Sequence, residues 1–279
     1  RMMSTNLHHY LTAWELSDPE PLAETATSRV YAVTSAGTRV VLKLLTPIGV
    51  EDEQNGVVAL RHFNGHGAVQ LVRHDEQAHL LEYAEGENLT ALVERGEDER
   101  ATAIIGDLLN QLHSAADPMP ANGLTPLRQR FASLFRQAQA DRQNGLNTIF
   151  VRAAQVADDL LAHPQNVRVL HGDIHHYNIR RSTRRGWLAY DPKGLIGERT
   201  YDAANTLRNP DSVPDVMLNE TRLLHHTAML ADIMGCNYRR VLAFVYVHVC
   251  LSACWDVEMG VSAADDLRLA EMIEPHVRV

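Results

Sequence analysis

The chain has few cysteines and no apolar run long enough to span a membrane, and each shortage excludes a class of protein. Three cysteines among 279 residues are too few for a disulfide framework, so we expect a protein of the reducing cytoplasm. The longest apolar stretch, residues 241–255, contains His248 and is shorter than the ~20 residues of a membrane span. The first residues lack a charged segment followed by an apolar core, so we expect neither a signal peptide nor a membrane partner.

Basic residues are also in the minority, which argues against nucleic acid as a partner. The chain carries 26 Lys and Arg against 35 Asp and Glu, a formal net charge of −9. Phosphate neutralisation needs clustered basic residues. A basic turn at residues 180–185 lacks interleaved aromatic side chains, and we expect it to be a solvated turn. The acidity suits a cationic small ligand, and solubility explains it equally well.

What the chain does have is the composition of a globular enzyme and two regions of different pattern. Apolar residues make up 45% and charged residues 22%, which excludes intrinsic disorder. Up to about residue 83 the pattern predicts a small sheet with one helix; Pro47 and Gly49 break the pattern before a helix with an acidic start at residues 51–53. The predicted strands are residues 29–35, 38–45, 68–72 and 79–83.

Beyond Gly86 the pattern becomes helical, so residues 84–279 are predicted to form a larger, mainly helical part. Predicted helices end near His113 and cover residues 126–142 and 147–162, and three more follow residue 215. Short strands are predicted at residues 167–171, 178–180 and 187–190. The run 241–255 is predicted to be a buried helix, with Cys250 and Cys254 as small apolar side chains on one face rather than a redox pair.

The residues that indicate chemistry lie in the loops between these short strands. Residues 171–178 read His-Gly-Asp-Ile-His-His-Tyr-Asn, and Asp191 follows at the end of the next predicted strand. Asp173 could orient a hydroxyl and accept its proton, while Asn178 and Asp191 supply the hard oxygen ligands that Mg²⁺ prefers. This spacing matches a kinase-type catalytic loop and its metal-binding Asp. A zinc site formed by His171, His175 and His176 is the alternative, although the defined spacing of a further ligand is missing.

Lys43 supplies a cation in the N-terminal part. It interrupts the apolar strand at residues 40–45 and needs an anion there, and the phosphates of a nucleotide would serve. Taken alone, it would more often be a lysine of an edge strand whose amine reaches water. Glu53, at the start of the following helix, is the preferred partner for Lys43, and Glu51 is the rival.

These motifs resemble those of the aminoglycoside phosphotransferase group, which has a protein-kinase-like fold. Together with residues 186–197 and the Tyr-Asp-Ala-Ala-Asn motif at 201–205, they are similar to the streptomycin 6-phosphotransferase and hydroxyurea-resistance kinase subfamily. The resemblance implies a bilobal α+β fold, with a β-rich N-lobe at residues 1–83 and a helical C-lobe at 84–279. It also implies an Mg-ATP-dependent kinase of a small-molecule antibiotic, with streptomycin as the leading substrate. A kinase of hydroxyurea or another small metabolite, and a silent nucleotide-binding module, are the alternatives.

The resemblance also implies roles for individual residues of the two lobes. Asp173 would be the catalytic Asp, Asn178 and Asp191 would bind Mg²⁺, and Lys43 with Glu53 would position the ATP phosphates. Glu82, Tyr83 and Ala84 would form the hinge that meets adenine. Asp202 would brace the catalytic loop, with a helix N-cap as the equal alternative. Lys193 would approach the γ-phosphate or face solvent.

Three departures from protein kinases bear on phosphate binding and on the substrate. The segment expected to cover the phosphates, residues 24–30, contains no glycine. Ten residues separate Asp191 from Asp202, too few to display a peptide, and Gly172 stands where protein kinases carry Arg. A small hydroxyl-bearing substrate is therefore expected.

The late helices are expected to form the substrate pocket. Trp255, Asp256 and Glu258, with the nearby Asp265 and Asp266, would bind a cationic group there. A solvated acidic helix face with a core Trp is the alternative.

Overall fold

The structure, a computed structural model, describes residues 2–115 and 118–277, and the side chains of residues 7–115 and 118–277. The N-terminal part is an antiparallel sheet in the order β1-β2-β3-β5-β4, with one helix before β1 and another between β3 and β4. In chain order its elements are α1 (Met2–Ala13), β1 (Leu16–Glu24), β2 (Ser28–Ser35), β3 (Thr38–Leu45), α2 (Pro47–Phe63), β4 (Leu71–His74) and β5 (Ala78–Glu82).

The central hairpin of this sheet agrees closely with the sequence prediction. β2 and β3 pair along their whole length, from Ser28 opposite Leu45 to Ser35 opposite Thr38. The two residues between them, Ala36 and Gly37, have φ angles of 47° and 80°, as a two-residue hairpin turn requires. Lys43 is thereby fixed on a central strand, since β5 pairs with the other edge of β3.

The sequence prediction missed α1 and β1, and both omissions have a physical cause. β1 is an edge strand in which only the first residue is buried, so it lacks the alternation of apolar residues that identifies a strand. It also contains Pro19 and Pro21, which an edge strand tolerates because one side of its backbone has no partner strand. Tyr10 of helix α1 and Trp14, which follows the helix, pack against the sheet, and the amphipathic signal of α1 is weak.

The start of α2 also differs from the sequence prediction. Pro47 is the first residue of the helix and does not lie in a break before it. The Oγ1 of Thr46 accepts a hydrogen bond from the amide of Gly49 at 3.2 Å and caps the helix. Proline suits the first helical position because its missing N–H would have no partner there. The predicted strand at residues 68–72 is displaced as well: β4 begins at Leu71, and Ala68 instead bridges to Ala189.

The remainder of the described chain is mainly helical, with two small sheets beside the segments that contain Asp173, Asn178 and Asp191. One sheet has the order β6-β10-β7, and β8 pairs with β9 as a hairpin. In chain order the elements are α3 (Thr90–Glu94), α4 (Asp98–His113), β6 (Thr125–Pro126), α5 (Leu127–Arg130), α6 (Ala132–Gln143), α7 (Ile149–Ala162), β7 (Val167–Leu170), β8 (Ile179–Ser182), β9 (Gly186–Ala189), β10 (Leu195–Glu198), α8 (Ala204–Leu207), α9 (Pro214–Met217), α10 (Glu220–Met234), α11 (Tyr238–Glu258) and α12 (Ala264–Val277).

Helix α11 is the core of this part, as the sequence predicts. Every residue from Val241 to Cys254 is buried, including Cys250. By length and composition α11 could cross a membrane, but 78% of its most apolar 18-residue segment is buried inside the protein. Burial raises the pKa of the Cys254 thiol to about 12, so the thiol stays protonated and unreactive. The helix is therefore a packing element that also carries His248 into the interior.

Candidate active site

Lys43 lies between two carboxylates that come from different parts of the chain. Its Nζ is 2.8 Å from Oε2 of Glu53 on α2 and 3.0 Å from Oδ1 of Asp191, which follows β9. Burial alone would lower the pKa of Lys43, but the charges of Asp191 and Glu53 outweigh it and raise that pKa, so the amine is charged. Glu51, the rival partner, is exposed on the same helix. Lys43 is thus a buried cation rather than an edge-strand lysine.

The catalytic loop after β7 is braced by Asp202. One carboxylate oxygen of Asp202 accepts the amide of His171 at 2.9 Å, and the other accepts the amide of Gly172 at 2.7 Å. His113 Nε2 lies 2.8 Å from the same carboxylate. Asp202 sits inside the short helical turn Arg199–Ala203 and not at its start, so the N-cap interpretation is wrong. Burial would raise the pKa of Asp202, but the bond to His113 and the charges of the two histidines keep it below its ordinary value.

Gly172 is required by this arrangement. Its φ is +84°, and a Cβ placed there would lie 2.8 Å from the side chain of Leu195. The position that carries Arg in protein kinases therefore has neither the backbone angle nor the space for a side chain in this fold.

Asp173, the proposed catalytic residue, is held at both carboxylate oxygens. Asn178 Nδ2 donates to the backbone oxygen of Asp173 at 3.0 Å and to its Oδ2 at 3.2 Å, and Asn205 Nδ2 donates to Oδ1 at 2.9 Å. Burial would raise the pKa of Asp173, but His175 and Lys193 nearby lower it to about 2. The carboxyl is therefore ionised at neutral pH, and it is a better orienting acceptor than base.

The orientation of Asn178 and the exposure of Asp191 leave oxygen atoms for a cation. A carbonyl and a carboxylate can only accept, so the two bonds from Asn178 must come from its NH₂ group, and its Oδ1 points elsewhere. Asp191 has its side chain 48% exposed, and only its Oδ1 is bound to Lys43. Its φ of 53° is in the left-handed region, which Asp adopts more readily than most residues.

A cleft between the sheet and the segments after β7 and β9 is lined by Lys43, Asn178 and Asp191 together with apolar side chains of the sheet. The lining residues are Leu22, Ala23, Val30, Val41, Lys43, Leu81, Tyr83, Tyr177, Asn178, Arg180, Tyr190 and Asp191.

The hinge that the sequence indicates, Glu82, Tyr83 and Ala84, begins at the last residue of β5, and Tyr83 lines this cleft. The carboxylate of Glu82 is bound by Arg185 at 2.7 Å and by the amide of Gln70 at 2.9 Å. The amide of Ala84 donates to the hydroxyl of Tyr190 at 2.6 Å. The sequence prediction missed Tyr190, although its place directly before Asp191 was a usable signal.

The glycine-free segment at residues 24–30 forms a tight turn between β1 and β2, where the phosphate-covering loop was expected. Thr25 Oγ1 accepts the amide of Ser28 at 3.1 Å and that of Thr27 at 3.3 Å. A threonine hydroxyl thus closes a turn that glycine often forms in other chains.

The three residues expected to bind substrate lie at the end of α11, and two of them already have partners. The guanidinium carbon of Arg130 is 4.5 Å from the ring centroid of Trp255. Glu258 accepts from Arg136 at 2.9 Å and from Ser133 at 3.0 Å. Asp256 is half-buried; burial, with Asp266 nearby, raises its pKa.

The histidines of the catalytic loop do not form a zinc site. His171 is bonded through Nε2 to the backbone oxygen of Tyr190 at 2.6 Å, and His176 is fully buried. Among the residues that the structure describes, no three His, Cys, Asp or Glu side chains are arranged to hold a metal ion. Two ligands are enough for Mg²⁺ when phosphate oxygens and waters complete its coordination.

Comparisons with known proteins agree with the motifs. A family model described as aminoglycoside/hydroxyurea antibiotic resistance kinase matches residues 13–260. A streptomycin 3''-kinase of Klebsiella pneumoniae is 34% identical over 251 residues, which cover 88% of this chain and 91% of that protein. A streptomycin 6-kinase of Streptomyces glaucescens is 29% identical over 276 residues, covering 95% and 87%. A hydroxyurea phosphotransferase of Kitasatospora aureofaciens is 30% identical over 273 residues, covering 94% and 75%.

Solved structures of other proteins share the fold of this chain. Aminoglycoside phosphotransferase APH(4)-Ia, as a thermostable mutant in ternary complex with ADP and hygromycin B, superposes with a TM-score of 0.61 at 15% identity, covering 96% of this chain and 97% of that one. A choline/ethanolamine kinase family protein of Mesorhizobium loti gives a TM-score of 0.66 at 14% identity, covering 99% and 95%. The α+β fold with a β-rich and a helical part is thereby confirmed. The chain belongs to the aminoglycoside/hydroxyurea antibiotic resistance kinase family.

Proposed function

We propose that this kinase transfers a phosphoryl group from Mg-ATP to a hydroxyl of an aminoglycoside, with streptomycin as the leading substrate. The observation that carries the proposal is that Lys43, Asn178 and Asp191 line one cleft and that Asn178 also holds the carboxylate of Asp173. Lys43 joins the sheet to Asp191 at 3.0 Å, and within the loop 171–178 Asn178 donates to Oδ2 of Asp173 at 3.2 Å. A cation, two oxygen ligands and an orienting carboxylate are the parts that phosphoryl transfer needs.

The residues present fit both groups that the reaction requires. Oδ1 of Asn178 and the half-exposed carboxylate of Asp191 are hard oxygen donors of the kind Mg²⁺ takes. The apolar wall of Val30, Val41 and Leu81 suits a purine base. Bound Mg-ATP would supply the phosphoryl group together with charge compensation for its transfer.

Each residue then has a defined task. Lys43, held by Glu53, binds phosphate oxygens. Asp173 accepts a hydrogen bond from the substrate hydroxyl and holds its oxygen in line for attack. The pKa of Asp173 is lowered to about 2, so its carboxylate is ionised and can accept the hydroxyl proton as the new bond forms. Positioning and electrostatics carry such a reaction.

A small substrate is favoured over a peptide by the segment that follows Asp191. The amide of Lys193 donates to the backbone oxygen of His171 at 2.7 Å, and β10 is paired on both sides, with β6 and β7. This segment therefore forms part of a sheet and does not extend as a loop that could bind a polypeptide. Relatives that carry the names streptomycin kinase and hydroxyurea phosphotransferase support a small antibiotic as the acceptor.

A cationic acceptor is supported by Asp256. It is half-buried at the end of α11, where it shares a side-chain hydrogen bond with Asp266, and Arg208 forms its salt bridge with Asp266. Streptomycin carries guanidinium groups that could pair with Asp256, whereas hydroxyurea is uncharged. We also propose that the lobes divide between residues 83 and 84, where β5 has ended, and that the enzyme acts in the cytoplasm, where its three free cysteines remain reduced.

An ADP-release assay across candidate acceptors tests this function. Streptomycin, other aminoglycosides, hydroxyurea, homoserine and choline are supplied in turn with Mg-ATP, and Asp173→Asn serves as the matched inactive control. Turnover with streptomycin supports the proposal, and phosphorus NMR of the product then separates the 6-hydroxyl from the 3''-hydroxyl. Turnover with hydroxyurea alone would replace the substrate and retain the kinase. ATP binding without turnover of any acceptor would favour a silent module.

A further inference from the structure

A continuous chain of hydrogen bonds runs from the core of the helical part to the proposed catalytic carboxylate. The hydroxyl of Tyr201 lies 2.9 Å from Nδ1 of His248, and Nε2 of His248 lies 3.1 Å from Oδ1 of Asn205. Asn205 Nδ2 in turn lies 2.9 Å from Oδ1 of Asp173. These four residues, the Tyr201–Asp173 chain, come from the 3₁₀ turn before α8, from α11, from α8 and from the catalytic loop.

Each bond in the Tyr201–Asp173 chain has a single possible direction. Ionised Asp173 can only accept, so Asn205 must donate with its amide NH₂ and keep its Oδ1 as an acceptor. His248 therefore donates through Nε2–H, which leaves Nδ1 to accept the hydroxyl proton of Tyr201. Asn209 Nδ2 also donates to Oδ1 of Asn205, at 3.3 Å, which agrees with that assignment.

The charges around the chain keep it in this protonation state near neutral pH. Burial lowers the pKa of His248 to about 3, and the nearby cations Arg130 and Arg208 act in the same sense, whereas Asp173 opposes them. Burial raises the pKa of Tyr201 to about 12, with Arg130 opposing it, so the hydroxyl remains a donor. Both side chains are only 2% exposed.

A polar histidine in the middle of the buried helix α11 is costly unless its ring is satisfied. His248 is the only ionisable imidazole on that helix, and its two ring nitrogens are used by Tyr201 and Asn205. The ring of Tyr201 also packs edge-on against Phe131 and Phe244. The chain is therefore anchored in rigid packing at the end remote from the cleft.

We propose that Asn205 is a positioning residue for Asp173 and that His248 and Tyr201 act through it by fixing its amide. The proposal rests on the function proposed above, in which Asp173 orients the acceptor hydroxyl. Asn205 holds one carboxylate oxygen and Asn178 holds the other, so the carboxylate cannot rotate. Each oxygen retains a further lone pair for the hydroxyl of the substrate. Small errors in such an orientation cost large factors in rate.

A double-mutant cycle of Tyr201→Phe and Asn205→Ala tests the chain. Tyr201→Phe removes one hydroxyl and keeps the packed ring, so it is the milder variant if Asn205→Ala folds poorly. We expect Asn205→Ala to lower kcat about tenfold or more with little change in KM for ATP, and Tyr201→Phe to lower it about threefold. In the Asn205→Ala background, Tyr201→Phe should have almost no further effect on kcat, because the chain is already cut beside Asp173.

Tyr246→Phe is the matched control, since Tyr246 is a buried tyrosine of α11 that does not belong to the Tyr201–Asp173 chain. It should leave kcat and KM close to wild type. If the effects of Tyr201→Phe and Asn205→Ala on kcat multiply independently, or if both variants change only KM for ATP, the proposal is wrong.

The free energy of unfolding provides a readout that needs no acceptor. Tyr201 and Asn205 are joined through His248, so the same cycle should show a coupling in urea unfolding. If the losses of unfolding free energy in the two variants were additive, the Tyr201–Asp173 chain would be contradicted even if no acceptor were known. Failure of the wild-type enzyme to phosphorylate any acceptor would instead contradict the proposed function and leave this coupling to be judged by itself.

Discussion

The amine of Lys43 lies 3.0 Å from the carboxylate of Asp191, although 148 positions separate the two residues in the chain. One residue belongs to the sheet and the other to the catalytic segment, so this pair joins the two parts of the fold across the cleft. Glu53 holds the same amine from α2 at 2.8 Å. The amine of Lys43, which we propose binds phosphate, is therefore held by two carboxylates.

Lys43→Met is expected to raise KM for ATP and lower kcat, together by about 10- to 100-fold in kcat/KM, because a charged contact to phosphate is lost. Glu53→Gln should cost less, since it weakens the placement of Lys43 but keeps the amine. Steady-state kinetics with varied ATP measure both effects. Glu51→Gln, an exposed change on the same helix, is the matched control; a loss as large as that of Glu53→Gln would contradict the assignment.

Asp173→Ala is expected to abolish phosphoryl transfer while the Kd for ATP stays within about threefold, because in the proposed mechanism Asp173 contacts the acceptor rather than the nucleotide. Calorimetric titration with ATP and the ADP-release assay separate the two quantities. Asp159→Ala, on the exposed face of α7, should leave both near wild type. Surviving turnover in Asp173→Ala would show that another group orients the acceptor.

Tyr190→Phe is expected to lower KM for ATP about threefold with kcat unchanged. The hydroxyl of Tyr190 occupies the amide of Ala84, and its removal frees that donor for the adenine ring. Initial rates over a range of ATP concentrations measure the change, with Tyr238→Phe at the exposed start of α11 as the control. An increase in KM would mean that the hydroxyl itself helps to bind the nucleotide.

The stability of the protein is expected to fall as the pH drops from about 6.5 towards 4. Burial lowers the pKa values of His79 and His226 to about 4 and those of His176 and His248 to about 3. In the unfolded chain these imidazoles bind protons below their ordinary pKa of about 6.5, so the unfolded state gains more protons. Each can remove up to about 1.4 kcal/mol of unfolding free energy per pH unit.

Urea unfolding from about pH 7 to about pH 5 measures this loss. His176→Leu should reduce the slope, because it removes one buried imidazole whose two ring nitrogens have no hydrogen-bond partner in the described chain. A wild-type stability that stays constant over this range would refute the prediction.

The sequence was most informative where a single physical rule governs the outcome. The length and apolarity of residues 241–255 predict a buried helix, and α11 is one. Edge strand β1 could not be found in the same way, because its residues are exposed and depend on pairing with β2. The role of Pro47 was predicted wrongly because a proline can either interrupt a regular element or open a helix. The cap at Thr46 decides for the start of a helix.

In the candidate site, too, some features could be predicted from the sequence and others could not. The spacing of Asp173, Asn178 and Asp191 indicates the chemistry, since all three lie on adjoining short segments. The spacing of residues along the sequence does not indicate which side chains they contact in the folded protein. The covering of Trp255 by Arg130 and the binding of Glu258 by Arg136 arise because α5 and α6 pack against the end of α11.

The placement of Lys43 has a consequence for chemical labelling. The 26 basic residues include only two lysines, Lys43 and Lys193, and both flank Asp191 in the cleft or next to it. Arginine supplies every other cationic side chain, and guanidinium groups resist the acylating reagents that modify amines. Among side chains, an amine-directed probe therefore reports only on the surroundings of Asp191, and protection by ATP would measure occupancy of the proposed phosphate-binding region.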